Sequence, residues 1–591
     1  MLELATPKAR VDARLAGEFR PKKLETWLAS LPRSDREAHA KWLRRALWAQ
    51  NRLVIPPSVR LELMELYMTP FQDICASHHA ELRTIATIPL HTQYRSKQTD
   101  ILALLDALAT GYKIAALDFA GQRRGHNRQH DLALALQRTI YCLGQIVVTA
   151  SEIYLRPPGN TWRELHGLYH CAEQEAIEEY GVPAAGEHDG PHDVLSSYLQ
   201  ALLVGASAPL GLLPGEVRRL YELAPQWCHT MKISSASELP SQPGYFRINL
   251  KSDAPPLPLS KTAKPVEDPK DENIRVLRTL GIARSMHEIL TSMNEPATRS
   301  VVERVFIAGV DSADAELFRR AGRILGEVNI TRGFTRFNPD QELEFASGFE
   351  AVLRACNGGL PFDALALASR AFESELASEP PDETTEPSGD ETEHGLFIDL
   401  AEPMPGPRAT EGVAAEPRPM GNAGGDRPNW RAYVDNQCAG GLCLVASRSA
   451  ELKVKVGDIG ACLLPESAGW QLGTVRWMRV GSREVKFGIQ FMGPTAMPVA
   501  VAGDPGTRGF DGERPVFSAI WLPESPALKK SNAIVLQRRA ESYPPVLKVL
   551  GADGIPTAVR LLKRVERTGD YEQFLVSLEV SGSGSQSALS S

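Results

Sequence analysis

At 591 residues and about 150 residues per domain, the chain is too long for one small domain and has room for about four folded units. Its 72 acidic and 65 basic residues leave a net charge of −7, which excludes a globally basic nucleic-acid binder and confines any anion site to a local cluster. Hydrophobic residues at 43% and charged residues at 23% fit a soluble globular protein with only segments lacking a core.

The eight cysteines are scattered without a CxxC pair, which points to a reducing compartment rather than a disulfide scaffold. The N-terminal stretch MLELATPKARVDARL has Glu3, Lys8 and Arg10 among its apolar residues, so no continuous apolar leader is expected there. The longest apolar tract, 197 to 213, is broken by Gln200 and Pro209 and reads as core, not membrane span.

In chain order, residues 1–231 form an expected all-helical region, with apolar residues at intervals of three and four in segments such as TDILALLDALATGYKIAAL. Within it, Trp162, Leu165 and Tyr169 have the spacing of a tetratricopeptide first helix. The same residues equally suit an ordinary amphipathic helix, and no second copy of the pattern occurs. Residues 232–271 are rich in Pro, Ser and Lys around the alternating YFRINL and read as a connector with one strand. Helical periodicity resumes over 272–328.

The run SELASEPPDETTEPSGDETE is acidic and Pro-rich, and no Lys or Arg occurs between Arg370 and Arg408. Burial cannot offset the entropy of ordering such a stretch, so 360–428 reads as a disordered insertion. After Trp430 the period changes to two: WRAYV, GLCLV, IGACLLP, WQLGTVRWMRV and VKFGIQFM are short alternating runs between turns, the pattern of a small antiparallel barrel over 429–500. A second small β module is expected over 513–580, packed on its neighbour, with a disordered tail at 581–591. The fold class is therefore multidomain α + β.

The segment VDNQCAGGLCLV matches N-x-S-x-x-G at Asn436, Cys438 and Gly441, with Cys in the Ser place. Together with VRW and FGIQF, it resembles the PilZ domain, a bacterial receptor for cyclic di-GMP. The resemblance implies an R-x-x-x-R motif before the first barrel strand, and two candidates exist: Arg427 with Arg431, and Arg332 with Arg336. Only four residues separate Arg431 from Asn436, too few for a strand, a turn and a return strand. Arg332 and Arg336 precede the alternating QELEFASG. The barrel is therefore expected to be interrupted, with its first part at 329–359. A long insertion is tolerable because closure entropy grows only logarithmically with loop length.

By this resemblance, Arg332 and Arg336 would hold guanine and phosphate, since a planar guanidinium can bind either bidentately and stack on a purine. Asn436, Cys438 and nearby backbone would bind the other side, and Gly441 would permit close approach. A thiol at 438 is a poorer donor than the expected hydroxyl. Two readings therefore stand: a cyclic di-GMP receptor that relays binding to an unidentified partner through its helical region, or a degenerate barrel acting as an interaction scaffold. The first carries the family's setting of surface motility, pilus function or biofilm regulation, in the cytoplasm and without membrane insertion.

Other signals are weaker. GQRRGHNRQH at 121–130 is a cationic loop, and His166 with His170 lacks the Glu of a zinc-hydrolase helix. No P-loop, dinucleotide fingerprint, GxSxG elbow, GGDEF or EAL signature occurs. Neither an enzymatic activity nor a cofactor or metal is expected.

Overall fold

The computed structural model describes residues 2–9, 19–32, 34–83, 92–122, 127–184, 192–235, 243–259, 271–294, 310, 314–326, 337–339, 341–369, 430–448, 452–465, 469–493, 495–503, 516–525, 530–539, 542–551 and 556–578. The acidic run from 370, the tail at 581–591, and residues 123–126 of the cationic loop lie outside them.

The helical region comprises Pro21–Ser30, Arg36–Gln50, Pro57–Arg83, Thr92–Gly121, Arg128–Ser151, Thr161–Glu175, Val194–Ala206 and Glu216–Leu223. Local chemistry starts two of them: Asp35 accepts from the Ala38 amide at 3.0 Å and Asp193 from the Ser196 amide at 2.6 Å, each satisfying an orphan first-turn donor. Arg128–Ser151 is long and apolar enough to cross a membrane, but its apolar window lies almost wholly inside the protein. It is the central helix of the core.

Lys113, Arg138 and Arg218, buried in this core, pair with Glu164, Glu65 and Glu152. Arg218 reaches Glu152, His79 and Gln145. Burial alone would raise the Glu152 carboxyl, but the Arg218 guanidinium and His79 override it and hold it down at about 2. Trp162, Leu165 and Tyr169 are core residues, which is the ordinary amphipathic reading of that helix. His166 bonds the Tyr198 hydroxyl at 2.6 Å and the Ala254 carbonyl at 2.9 Å, while His170 lies 3.2 Å from Glu173. The two histidines thus serve separate partners. In the cationic loop, Arg128 is committed to a bidentate pair with Glu175 at 2.8 and 3.1 Å.

The segment read as connector and helix differs from expectation. Lys232–Ser235 (β1), Tyr245–Asn249 (β2), Leu257–Pro258 (β3) and Ile274–Arg278 (β4) form a four-stranded sheet in the order β1-β4-β2-β3. The resumed helix begins only at Leu280. In IRVLR, Ile274, Val276 and Leu277 are buried while Arg275 and Arg278 are not. So short a run, with two adjacent buried residues, carries no clear period and merges into the helix after it. Sheet and helices pack on the main helical core: Trp227 meets Phe318 edge to face at 5.6 Å, and Arg219 holds Asp314 at 2.7 and 2.8 Å.

Next come two closed six-stranded antiparallel barrels. The first contains Glu342–Ser347 (β5), Trp430–Cys438 (β6), Gly441–Ser447 (β7), Ile459–Leu463 (β8), Gln471–Val480 (β9) and Glu484–Gly493 (β10), closed in the order β10-β7-β6-β5-β8-β9. Strand β5 pairs Glu342 to Phe345 with Tyr433 to Trp430, and its other edge with β8. The barrel is therefore split in sequence, and Phe345 is fully buried against Phe487. The second barrel contains Met497–Gly503 (β11), Val516–Leu522 (β12), Ala533–Gln537 (β13), Val546–Leu550 (β14), Pro556–Arg567 (β15) and Tyr571–Leu578 (β16).

Two expected boundaries move. The sequence pattern ends the first barrel within β11, but β11 pairs with β12 and β14, so the second module starts before 513. Residues 360–369 read as part of the disordered insertion, yet Ala364 and Ala368 are buried against Ala500 and Leu550 of the second barrel. Their small apolar side chains give that segment a core to join.

The helical region plugs the first barrel. Tyr154, in the left-handed conformation at φ 59°, belongs to the barrel core with Leu155, Leu210 and Leu213 packed beside it. Its carbonyl accepts from the Val480 amide at 2.9 Å. Nearby, the Lys455 amide donates to buried Asp458 at 2.9 Å. Burial, with a smaller contribution from Asp570 and against the pull of Lys455, pushes the Asp458 carboxyl up to about 7. The unfolded chain releases this proton near pH 3.8, so the native state binds it more tightly, and the stability it contributes in acid is lost as pH rises toward and through 7. In Asp458→Asn, the uncharged amide should flatten that decline and raise the unfolding temperature above pH 7 relative to the parent. Thermal melts from pH 5 to 8 read both effects.

Candidate ligand face of the first barrel

The site is built on a tight hairpin. Strands β6 and β7 are joined by Ala439 and Gly440, with Cys438 opposite Gly441, Gln437 opposite Leu442 and Asn436 opposite Cys443. The register shifts between Val434 and Asn436, a bulge at Asp435. Before it, Ala432 and Val434 point into the barrel and Arg431 and Tyr433 point out. A bulge inserts one residue and so re-aims the side chains after it. Beyond it, Asn436 and Cys438 join the outer face, while Gln437 falls on the side of buried Leu442.

Gly441 is dictated by close approach. A Cβ there would collide with the Ile489 carbonyl oxygen of β10, the neighbour on the other edge of β7. The adjacent Gly440 carbonyl accepts from the Phe491 amide at 3.0 Å, which ties the bend to β10.

Two more strands complete the outer face. Lys486 stands opposite Val445, Gly488 opposite Cys443, and Gln490 opposite Gly441. Lys486 pairs with Asp435 at 2.6 Å, and Asn436 Nδ2 donates to the same carboxylate at 2.7 Å. The Lys486 ammonium first, then Asn436, holds the Asp435 carboxyl below the usual carboxylate range. On β9, Trp477 lies opposite Gly488, and its indole occupies the space a Cβ at 488 would need. Tyr433, 61% exposed, points outward with Arg431, so rings and cations share one face. This combination suits a planar, anionic ligand: rings offer stacking surfaces and the cations offset phosphate charge.

Arg332 and Arg336 lie outside the described residues. The next residue along the chain, Phe337, forms an antiparallel bridge to Gln437: its amide donates to the Gln437 carbonyl at 3.0 Å and its carbonyl accepts from the Gln437 amide at 2.9 Å. From there the Gln341 carbonyl accepts from the Val434 amide at 3.0 Å and the chain enters β5. Of the rival pair, Arg427 lies outside the described residues. Arg431 sits within β6, 3.8 Å from Glu342, so it belongs to the second barrel strand, not to a segment preceding the first. Asn436, Cys438 and Gly441 share the bend.

Sequence reasoning does not single out Tyr433, Trp477, Lys486 or Gly488. One available signal is Gly488 inside the strand run FGIQF, since glycine within a strand marks close approach.

Comparison with known proteins agrees with this layout. Residues 22–239 match the family model described as "Cyclic-di-GMP receptor FimW, N-terminal domain", and residues 245–498 match "Cyclic-di-GMP receptor FimW, middle PilZ domain". The chain is 25% identical over 569 residues to a curated Pseudomonas aeruginosa protein, "Cyclic-di-GMP receptor FimW", covering 94% of this chain and 90% of the relative. No solved structure matches the chain.

Gly441→Ala should destabilise the protein by about 2 kcal/mol, the order expected for forcing a methyl into filled space. A lowered urea midpoint with an unchanged slope is the expected reading.

Proposed function

For a chain that belongs to the PilZ-domain family, we propose that the outer face of β6, β7, β9 and β10, together with Arg332 and Arg336, is a receptor site for cyclic di-GMP. The observation that carries this reading is the two-way backbone pairing of Phe337 with Gln437, one residue past Arg336 and at the centre of the Asn436 to Cys438 run. Cyclic di-GMP offers two phosphates and two guanines. Arginine forks suit phosphate oxygens and the guanine O6/N7 edge, and Trp477 and Tyr433 provide ring surface for the bases.

Binding here needs no bond making, and the chain acts as a receptor rather than an enzyme. Its output passes to a protein partner through the helical region, because Tyr154 and Leu155 are seated in the core of the barrel that carries the ligand face. Ligand shifts the helical region only if two seatings of that plug bind ligand with different affinity. The setting is bacterial surface motility, pilus function or biofilm regulation, in the cytoplasm.

Cys438 favours the second reading, a barrel without ligand that acts as a scaffold, because its thiol stands where a hydroxyl would donate. Calorimetric titration with cyclic di-GMP separates the two. The unsubstituted chain should bind. Joint replacement Arg332→Ala and Arg336→Ala should weaken binding at least about 100-fold, two charge-assisted contacts being removed. Cys438→Ser should tighten it by about fivefold, the order of one neutral hydrogen bond. Absence of heat with both the parent and Cys438→Ser would leave the scaffold reading.

A further inference from the structure

The two barrels are the same fold. Counting strands from the start of each, the first closes in the order first, second, third, sixth, fifth, fourth, through β5, β6, β7, β10, β9 and β8. The second closes through β11, β12, β13, β16, β15 and β14, the identical cyclic order, with every pair antiparallel in both. The ligand bend of the first barrel joins its second and third strands. The corresponding connection in the second barrel, 523–532, reads PESPALKKSN, without a glycine or the N-x-S-x-x-G pattern.

That connection touches the first barrel's bend through one intervening residue. Lys530 donates from Nζ to the Phe491 carbonyl at 2.7 Å, and the Phe491 amide donates to the Gly440 carbonyl at 3.0 Å. A second strut runs beside it. Gln490, opposite Gly441, accepts from Arg476 Nε at 2.7 Å, and Arg476 pairs through its other nitrogens with Glu566 of β15, at 3.0 Å for Nη2. Glu566 also accepts from the Tyr571 hydroxyl at 2.9 Å, which lies 2.6 Å from Thr474 Oγ1 of β9. Beneath the struts the barrels share a core, with Leu472 and Met492 packed among Ile520, Leu522, Val535 and Tyr571.

We infer that the C-terminal barrel is the readout of the receptor barrel: a second copy of its fold whose own bend has become a strut onto the first barrel's bend, with Lys530, Arg476 and Glu566 as positioning residues. The ligand half of this inference rests on the cyclic di-GMP reading above. The mechanical half does not. Any ligand that prefers one geometry of Ala439 and Gly440 is then coupled to the seating of β13, β15 and β16, and the coupling is reciprocal.

Hydrogen exchange on the full-length chain tests both halves, using Lys530→Met and Glu566→Gln with and without cyclic di-GMP. Without ligand, both variants should exchange about fivefold to tenfold faster over 436–444, with residues 132–148 of the helical core unchanged. With ligand, the unsubstituted chain should gain protection over 436–444 and also over 571–578, and each variant should lose the second response. Unchanged exchange at the bend in both variants overturns the inference, and so does equal acceleration in the helical core. Ligand protection of the bend with none at 571–578 in the unsubstituted chain overturns it as well. If the variants loosen the bend but the unsubstituted chain shows no ligand response, the receptor reading fails and the mechanical coupling stands.

Discussion

The structure depends on one strand pairing. Glu342 to Phe345 lie antiparallel to Trp430 to Tyr433, across an insertion that carries the acidic run. Without β5 the first barrel has two open edges, on β6 and on β8, and exposed edges invite pairing with other chains. With β5 in place both edges are filled and Phe345 is driven into the core beside Phe487. The same pairing brings Phe337 to the bend, because the Phe337 to Gln437 bridge continues the β5 to β6 ladder past the bulge at Asp435. Closing the barrel and bringing Phe337 to the bend are thus one event, so the insertion interrupts the domain in sequence without opening the barrel.

The three parts of the molecule are joined by apolar contacts with polar fixings at their margins. Tyr154 enters the first barrel's core from the helical region, and helix Phe349–Cys356 lies in a core shared by both barrels. Apolar packing is non-directional and sets how strongly the parts adhere. The fixings set where: Val480 to Tyr154, Arg476 to Glu566 and Lys530 to Phe491 each specify one seating. Arg476, with 39% of its side chain exposed, and Glu566 form a half-buried pair whose forked geometry orients the barrels while adding little stability. That orientation holds the second barrel beside the ligand bend.

Much of this was legible in the residues. The change of period after Trp430 announces a barrel, the alternation in QELEFASG announces its missing strand, and the short gap between Arg431 and Asn436 excludes the nearer arginine pair. The parts that were not legible have physical reasons. The strand IRVLR is too short to be told from the start of a helix. MPVAVA comes after β10 by a connection so short that β11 looks like its continuation, and only strand pairing assigns it to the second barrel. The bulge at Asp435 leaves no mark in composition, yet it decides which of Asn436, Gln437 and Cys438 faces outward. Trp477 and Gly488 are distant in sequence, and their fit exists only once β9 and β10 pair.

Cys438 occupies the last position of β6, opposite Gly441 and on the outer side of the bulge, so its side chain shares the face with Asn436. A neutral hydrogen bond contributes about 1 kcal/mol net, whereas a charge-assisted arginine contact contributes about 1.5–3. On these magnitudes, exchanging hydroxyl for thiol is a smaller change than losing an arginine contact would be. The two backbone hydrogen bonds that hold Phe337 to Gln437 at this bend are ones that no side chain at 438 alters.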